Sequence, residues 1–498
     1  MPLVAGIDSS TSATKVEVRD ADTGRHWGSG RRPHPPTTPP RSEQDPAAWW
    51  GALVQAWHDA ARYGPLAISV AGQQHGLVVL DEEARVLRPA KLWNDTESAS
   101  DAAALVEAAG SQVWAEACGS VPVASFTVTK LAWLKRVDPV TFARVRHVLL
   151  PHDWLTWRLT GRLVTDRGDA SGTGYWSPRE GRWRTDLLRI VDDTVDWSSR
   201  LPTVLAPFEP AGPLGNDAAL PLGLDGRDVV VGPGTGDNMA AALGAGLRPG
   251  DVCVCVGTSG TVMAVTGAPT ADATGAVAGF ADATGRWLPL VCTLNATKVT
   301  DAVARLVGAG GDHQRFDDLA LAGPPGAGGV VCVPWFDGER TPNRPGATGT
   351  LRGLRSDVAP EQLARASVEG VVCGLLAGLD ALRVALGAPS TGPRPLSDAS
   401  GDPLGGRLVL LGGGARSAAY RRVLADLSER PVIVLPDDVE PVALGACVQA
   451  AAVHHGQTPE AVAAGWGLHR QGSATEPDPA VDAAGIREAY AAAITREG

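Results

Sequence analysis

The chain has 498 residues, 44% of them hydrophobic and 20% charged, and a formal net charge of −11. That length calls for two or three domains, and the acidic balance gives no attractive field for nucleic acid or an anionic membrane surface. A polyanionic ligand would need a local site of backbone N–H groups, hydroxyls and a metal. Gly (60) and Pro (38) are frequent but follow no period, which implies many tight turns rather than disorder. Lys15, Lys91, Lys130, Lys135 and Lys298 are the only lysines, so cations able to bind phosphate are few. The seven cysteines show no CxxC spacing and read as core thiols of a cytoplasmic protein.

Residues 4–7 form a short apolar run that ends in a polar turn over 8–14, and 15–19 alternate in polarity. This predicts a strand, a turn and a second strand. No basic segment with a long apolar stretch opens the chain, so no signal peptide is expected. Residues 31–40 are Pro-rich and predict an extended surface loop. Helices are expected over 46–61, 98–109 and 130–136, with strands over 67–70 and 76–80. At 251–256 a second apolar run ends in Gly257-Thr258-Ser259-Gly260-Thr261 and resumes at 262–265. One strand–turn–strand pattern thus occurs twice, half a chain apart, and predicts two related α/β halves. Aligning Asp8-Ser9-Ser10-Thr11 over Gly257-Thr258-Ser259-Gly260 sets an acid opposite Gly257. Further strands are expected over 330–334, 407–411 and 432–435, with a long helix over 361–386. The most apolar long window, 371–388, carries Asp380 and Arg383, so it reads as a core helix rather than a membrane span. The domains are expected at 1–244 and 245–498.

No Lys follows a Gly, so a GxxxxGK[ST] phosphate loop is excluded. The Gly clusters at 232–236 and 412–414 miss the GxGxxG spacing, because Asp237 and Ser417 occupy the last position. Five other motifs occur in a fixed order: Gly6-Ile7-Asp8-Ser9-Ser10-Thr11; Ser125-Phe126-Thr127-Val128-Thr129-Lys130-Leu131-Ala132-Trp133-Leu134; Gly257-Thr258-Ser259-Gly260; Gly349-Thr350-Leu351-Arg352-Gly353-Leu354 followed by Ala366-Ser367-Val368-Glu369; and Gly412-Gly413-Gly414-Ala415. In these the chain resembles, over nearly its full length, the FGGY family of carbohydrate kinases. The resemblance implies an α/β fold of two related ribonuclease H-like domains of the actin/hexokinase superfamily, with an interdomain cleft. Gln73-Gln74-His75-Gly76, Leu92-Trp93-Asn94-Asp95, Asp169-Ala170-Ser171-Gly172-Thr173 and Phe336-Asp337-Gly338-Glu339 are similar to members that act on xylulose. His152 stands where a Lys is often found and reads as a structural substitution.

Phosphoryl transfer requires in-line positioning, a metal on the phosphate oxygens and a base for the hydroxyl proton. The resemblance makes Asp237 that base; an N-cap role is equally open to an Asp before a helix. Asp8 is expected to orient Mg²⁺ through water. Thr11, Lys15, Gly257, Thr258 and Ser259 are expected at the phosphates of ATP, and Gly413, Gly414 and Ala415 against its adenosine. Gln74, His75 and Asp95, with Trp93 as an apolar wall, are expected at the sugar. The implied reaction is ATP-dependent phosphorylation of a ketopentose, D-xylulose, to its 5-phosphate. Alternatives are a kinase of ribulose, arabinitol or glycerol, or a sugar-independent ATPase of the actin/Hsp70 type. No nucleic-acid or membrane partner is expected; a homodimer stays open.

Overall fold

The computed structural model describes residues 1–61, 64–388 and 402–495. The chain divides into two units. The first gathers Met1–Gly246, Gly267–Leu288 and Val439–Arg470, and the second gathers Leu247–Thr266, Pro289–Asp438 and Gln471–Gly498. The division expected at 244/245 follows chain order, whereas 267–288 and 439–470, which lie beyond it in the chain, gather with the first unit.

In the first unit, β1 (Leu3–Ser9) is buried along its whole length. It pairs antiparallel with β2 (Ala13–Asp20), which pairs antiparallel with β3 (His26–Pro33). On its other side β1 runs parallel to β4 (Ala67–Gly72). Beyond β4 lie β5 (Gly212–Pro213) and β6 (Val230–Val231), and β7 (Thr235–Gly236) continues the parallel pairing at the far end of β4. The strand order is β5-β6-β4-β1-β2-β3.

The expected surface loop at 31–40 is corrected at its start: Arg31, Arg32 and Pro33 end strand β3. That strand is polar and largely exposed because it lies at the sheet edge. It has no apolar alternation to reveal it, and charged residues at an edge discourage further pairing.

Helix α1 (Pro46–Ala60) places Trp49, Leu53 and Trp57 in one core with Ile7, Val16, Ile68 and Val70. Helices α2 (Thr127–Val137), α3 (Pro151–Thr160), α4 (Asp237–Gly244) and α5 (Pro441–His455) complete the part of this unit that matters below. Helices α4 and α5 cross with backbones in contact. A Cβ at Gly244 would lie 1.9 Å from the Pro441 carbonyl oxygen, and one at Gly445 would lie 1.9 Å from that of Ala240. Helix α5 also lies against β1, where a Cβ at Gly6 would meet the Ala443 carbonyl oxygen at 2.2 Å.

The second unit repeats the plan. Strand β8 (Val252–Val256) pairs antiparallel with β9 (Gly260–Ala264), which pairs antiparallel with β10 (Trp287–Thr293). Its other edge runs parallel to β11 (Leu408–Leu411), and β11 runs parallel to β12 (Val432–Val434). The antiparallel β13 (Ser473–Thr475) closes that side. Each unit therefore has a hairpin, a third antiparallel strand, two parallel strands on the opposite side and an antiparallel edge strand. Counted back from the strand end, Asp8 corresponds to Cys255 rather than to Gly257. The carboxylate lies within its strand, opposite Lys15, while Gly257 already belongs to the turn. None of the seven cysteines is in a disulfide, and all are buried or half-buried.

Candidate active site

Three neighbouring strands of the first unit end side by side. Asp8 pairs with Ala71, Ser9 with Gly72, and Gly236 with Gly72 as well. Asp8, the segment Gln73-Gln74-His75 and Asp237 thus leave the same carboxyl edge of one sheet, where α/β folds gather ligands.

Asp237 opens α4. The Asn238 N–H donates to its Oδ1 at 2.8 Å, and Asn238 Nδ2 approaches the same oxygen at 3.2 Å. Asn238 Nδ2 also donates to Gln74 Oε1 at 2.7 Å. Burial, then the negative charges of Asp8 and Asp169, push the Asp237 carboxyl up to about 7, near the working range of a proton acceptor.

Asp8 is almost fully enclosed, and its Oδ1 has no hydrogen-bond partner. Burial lifts it to about 6 against the pull of Lys15, whose Nζ lies 3.4 Å away. Lys15 Nζ also donates to Glu440 Oε2 at 2.7 Å, just before α5. Burial opposes the Lys15 charge, but Asp8 and Glu440 outweigh it and raise the ammonium above its ordinary value.

On the expected sugar side, Gln74 is buried, and His75 sits in the left-handed region at φ +65°. Its Nδ1 lies 2.7 Å from the Gly172 carbonyl oxygen, so Nδ1 carries the proton. Its ring stacks on Phe126 at 4.9 Å, and Thr127 Oγ1 donates to its backbone carbonyl at 3.2 Å. The motif at 125–134 therefore builds the floor under His75. Lys130 within it is enclosed, donating to the carbonyls of Ala124, Ser125 and Phe126.

Two of the expected site residues hold partners of their own. Asp95 is fully buried, with Oδ2 accepting from the Ser42 N–H at 2.8 Å and from Lys91 Nζ at 2.7 Å, and Oδ1 accepting from the Glu97 N–H at 3.0 Å. These bonds tie its oxygens to the fold. The carboxylates of Glu43, Asp95 and Glu97 converge closely enough for a metal. The Lys91 ammonium already lies among them, 2.5 Å from Glu97 and 3.9 Å above the Trp133 ring, and Arg41 and Arg88 pair with Glu43. Thr11 is the second case. Its hydroxyl accepts from Trp93 Nε1 at 2.8 Å and donates to Gln73 Oε1 at 3.1 Å, so its proton is spent within the site wall rather than offered to phosphate.

In the second unit, the Gly257 N–H donates to the Ser259 carbonyl at 3.0 Å, which leaves Thr258 exposed at the tip of the turn. The Ala296 and Thr297 N–H groups donate to the carbonyls of Thr258 and Gly257, fixing the turn against helix Thr297–Leu306. Of the expected adenosine residues, Gly413 has an open face. Gly414 and Ala415 are buried, and a Cβ at Gly414 would meet Val256 at 2.5 Å, so the glycine there serves packing.

Sequence reading missed Asn238, Asp169, His152 and Glu440. His152 was read only as a structural substitution where a Lys is often found. Glu440 lies 425 residues from Lys15 along the chain.

Two α/β units that share one strand order, each opening on a hairpin with a hydroxyl-bearing turn, make the actin/hexokinase-like fold; an acid-lined carboxyl edge suits it to phosphoryl transfer. The models of the FGGY family of carbohydrate kinases match residues 3–244 (N-terminal domain) and 252–454 (C-terminal domain), and the chain belongs to that family. It is 46% identical over 468 residues to a xylulose kinase of Streptomyces rubiginosus, covering 93% of this chain and 91% of that protein. It is 45% identical to a xylulose kinase of Streptomyces coelicolor, covering 99% of this chain and 95% of the other. The crystal structure of xylulose kinase from Bifidobacterium adolescentis is 38% identical and superposes with a TM-score of 0.84 over 99% of each chain. Among the described residues, no helix is long and apolar enough to cross a membrane.

Proposed function

We propose that the protein transfers the γ-phosphoryl group of ATP to the 5-hydroxyl of D-xylulose. Asp237 takes the hydroxyl proton, the sugar oxygen forms the new P–O bond, and ADP leaves with the pair from the broken bond. The observation that carries the reading is the Asp237 carboxyl, held near neutrality at the carboxyl edge beside Gln74, His75 and Asn238. His75 brings a polar ring to the sugar hydroxyls, Gln74 orients Asn238 behind it, and Trp93 supplies a partly exposed apolar wall joined to Thr11.

Mg²⁺ fits the first unit on its chemistry. The unpartnered, enclosed Asp8 Oδ1 is an oxygen donor awaiting a hard cation. Asp8 would hold it, and the ion would neutralise phosphate charge. Lys15, spread between Asp8 and Glu440, is the one lysine placed beside this acid. In the second unit, the Thr258 and Ser259 hydroxyls receive phosphate oxygens, and the open face of Gly413 lies against the nucleoside.

The test is ADP release with ATP and a panel of xylulose, ribulose, arabinitol and glycerol, with the product identified by mass spectrometry. Xylulose is expected to turn over fastest and to gain one phosphate. Preferred turnover of another member reassigns the substrate. ADP release without a phosphorylated sugar overturns the kinase reading.

A further inference from the structure

His152, at the second residue of α3, is fully buried. Three acids face it from three segments. Its Nδ1 lies 2.8 Å from Asp169 Oδ2 on the short helix Arg167–Ala170. Its Nε2 lies 3.3 Å from Asp153 Oδ1 in α3 and 3.8 Å from Asp166 Oδ1 at the end of strand Val164–Asp166. Carboxylates face both ring nitrogens: Nδ1 is within hydrogen-bond reach of Asp169, Nε2 lies near two acids without a closed hydrogen bond, and a doubly protonated ring suits both sides.

From this ring an ordered series leads to Asp237. The Gln74 amide group lies near enough to Asp169 to pull its carboxyl down, and neither Gln74 Nε2 nor Asp169 Oδ1 makes a closed hydrogen bond in the folded chain. With its NH₂ toward Asp169, Gln74 turns its Oε1 to Asn238 Nδ2, at 2.7 Å. Asn238 in turn directs its other Nδ2 hydrogen, and its backbone N–H, to Asp237 Oδ1, leaving Oδ2 for the sugar hydroxyl. Each amide has one donor end and one acceptor end, so an acceptor at either end, Asp169 or ionised Asp237, favours the same direction. An ionised Asp169 only accepts, and it therefore admits one orientation of Gln74. A neutral Asp169 would also donate and would admit the reverse.

We propose that His152 is a positioning residue: a buried imidazolium that keeps Asp169 an acceptor and, through Gln74 and Asn238, fixes the oxygen that Asp237 presents to the sugar. This rests on the reading of Asp237 as the base. The surrounding charges agree. Burial works against the imidazolium, but Asp153, Asp169 and Asp166 outweigh it and lift the ring to about 9. The same charge pulls Asp169 down against a burial that would lift it further. Tyr175 is the other titratable group that feels Asp153 and Asp169, and it is held protonated far above neutrality. Asp8, with Lys15 beside it, and Asp169 are the charges that Asp237 feels.

The experiment compares wild type with His152→Gln, His152→Lys and Asp169→Asn in steady-state kinetics with D-xylulose and ATP from pH 5.5 to 9. His152→Gln is expected to lose about tenfold or more in kcat and to raise the xylulose KM, with the ATP KM within about twofold of wild type. Its acid limb in kcat/KM is expected at higher pH, because a lost cation raises a neighbouring carboxyl. His152→Lys, which restores the charge, is expected to recover the limb. If His152→Gln does not melt cooperatively, Asp169→Asn decides the question: its amide admits either orientation of Gln74, so kcat and the xylulose KM are expected to change together. Wild-type kcat, KM and pH limb in the folded variants overturn this inference alone. No wild-type turnover of any ketopentose overturns it together with the proposed function.

Discussion

Asp8 and Lys15 are opposite one another across the first hairpin, and the Lys15 ammonium is shared between Asp8 at 3.4 Å and Glu440 at 2.7 Å. The lysine thus ties the central strand to the start of α5, the helix whose backbone crosses α4 and so sets the position of Asp237. Removing Glu440 frees Lys15 to pair with Asp8 alone. Glu440→Gln is expected to raise the ATP KM by about threefold or more while leaving the xylulose KM within about twofold. Initial rates at varied ATP and fixed sugar measure it; an unchanged ATP KM removes Glu440 from the phosphate side.

Asp237→Asn keeps the shape of the side chain and removes its basicity. Turnover is expected to fall by about 10²–10⁴, with circular dichroism and the melting temperature close to wild type. Turnover near the wild-type value in the folded variant defeats the base assignment.

The carboxyl of Asp237 is lifted to about 7 by burial and by Asp8 and Asp169. A base must be ionised to accept a proton, so kcat/KM is expected to fall as pH drops below about 7 and to level off above it. Bound Mg²⁺ attracts the carboxylate electrons and moves the limb down, never up. A rate–pH profile whose activity rises toward acid contradicts this sign.

Stability has its own pH dependence. His152 rises from 6.5 to about 9, Asp153 from 3.8 to about 7 and Asp169 from 3.8 to about 6 on folding. All three bind protons more tightly when folded, so their contribution is full below the unfolded values and is lost as pH rises through the folded ones. The midpoint of unfolding is expected to fall from pH 5 to pH 9, through the carboxyls first and the imidazole last. In His152→Gln the part of this slope between pH 7 and 9 should flatten, as followed by thermal melts.

Asp95 gives the contrasting prediction. Asp95→Ala removes one of three carboxylates from the enclosed Lys91 and leaves the Ser42 and Glu97 N–H groups without their acceptor. Breaking a buried pair costs about 3–5 kcal/mol, readable in urea unfolding. The folded fraction should keep its xylulose KM. A large rise in KM without loss of stability would return Asp95 to the sugar site.

Thr11→Val separates the two sides of the site. The loss of the hydroxyl that joins Trp93 to Gln73 is expected to raise the xylulose KM about three- to tenfold. A rise confined to the ATP KM would place Thr11 at the phosphates instead.

Local order in the chain determined much of this protein. Apolar runs broken by Gly, Ser and Thr marked both hairpins, and the long helix over 361–386 was legible from its apolar spacing; it is found at Pro360–Ala385. The resemblance carried by short motifs singled out Asp8, Gln74, His75 and Asp237, and the structure sets them at strand ends and a helix start. Tertiary structure decided what those signals could not carry. Asp95 looked like a sugar ligand, yet Lys91 and two backbone N–H groups occupy its oxygens. Thr11 looked like a phosphate ligand, yet Trp93, 82 residues away, takes its hydroxyl. The polar edge strand β3 had no pattern to show. Asp169, Asn238, His152 and Glu440 gained their places only when distant segments met, since a side chain's charge and orientation depend on which groups enclose it, and that enclosure is a property of the folded chain.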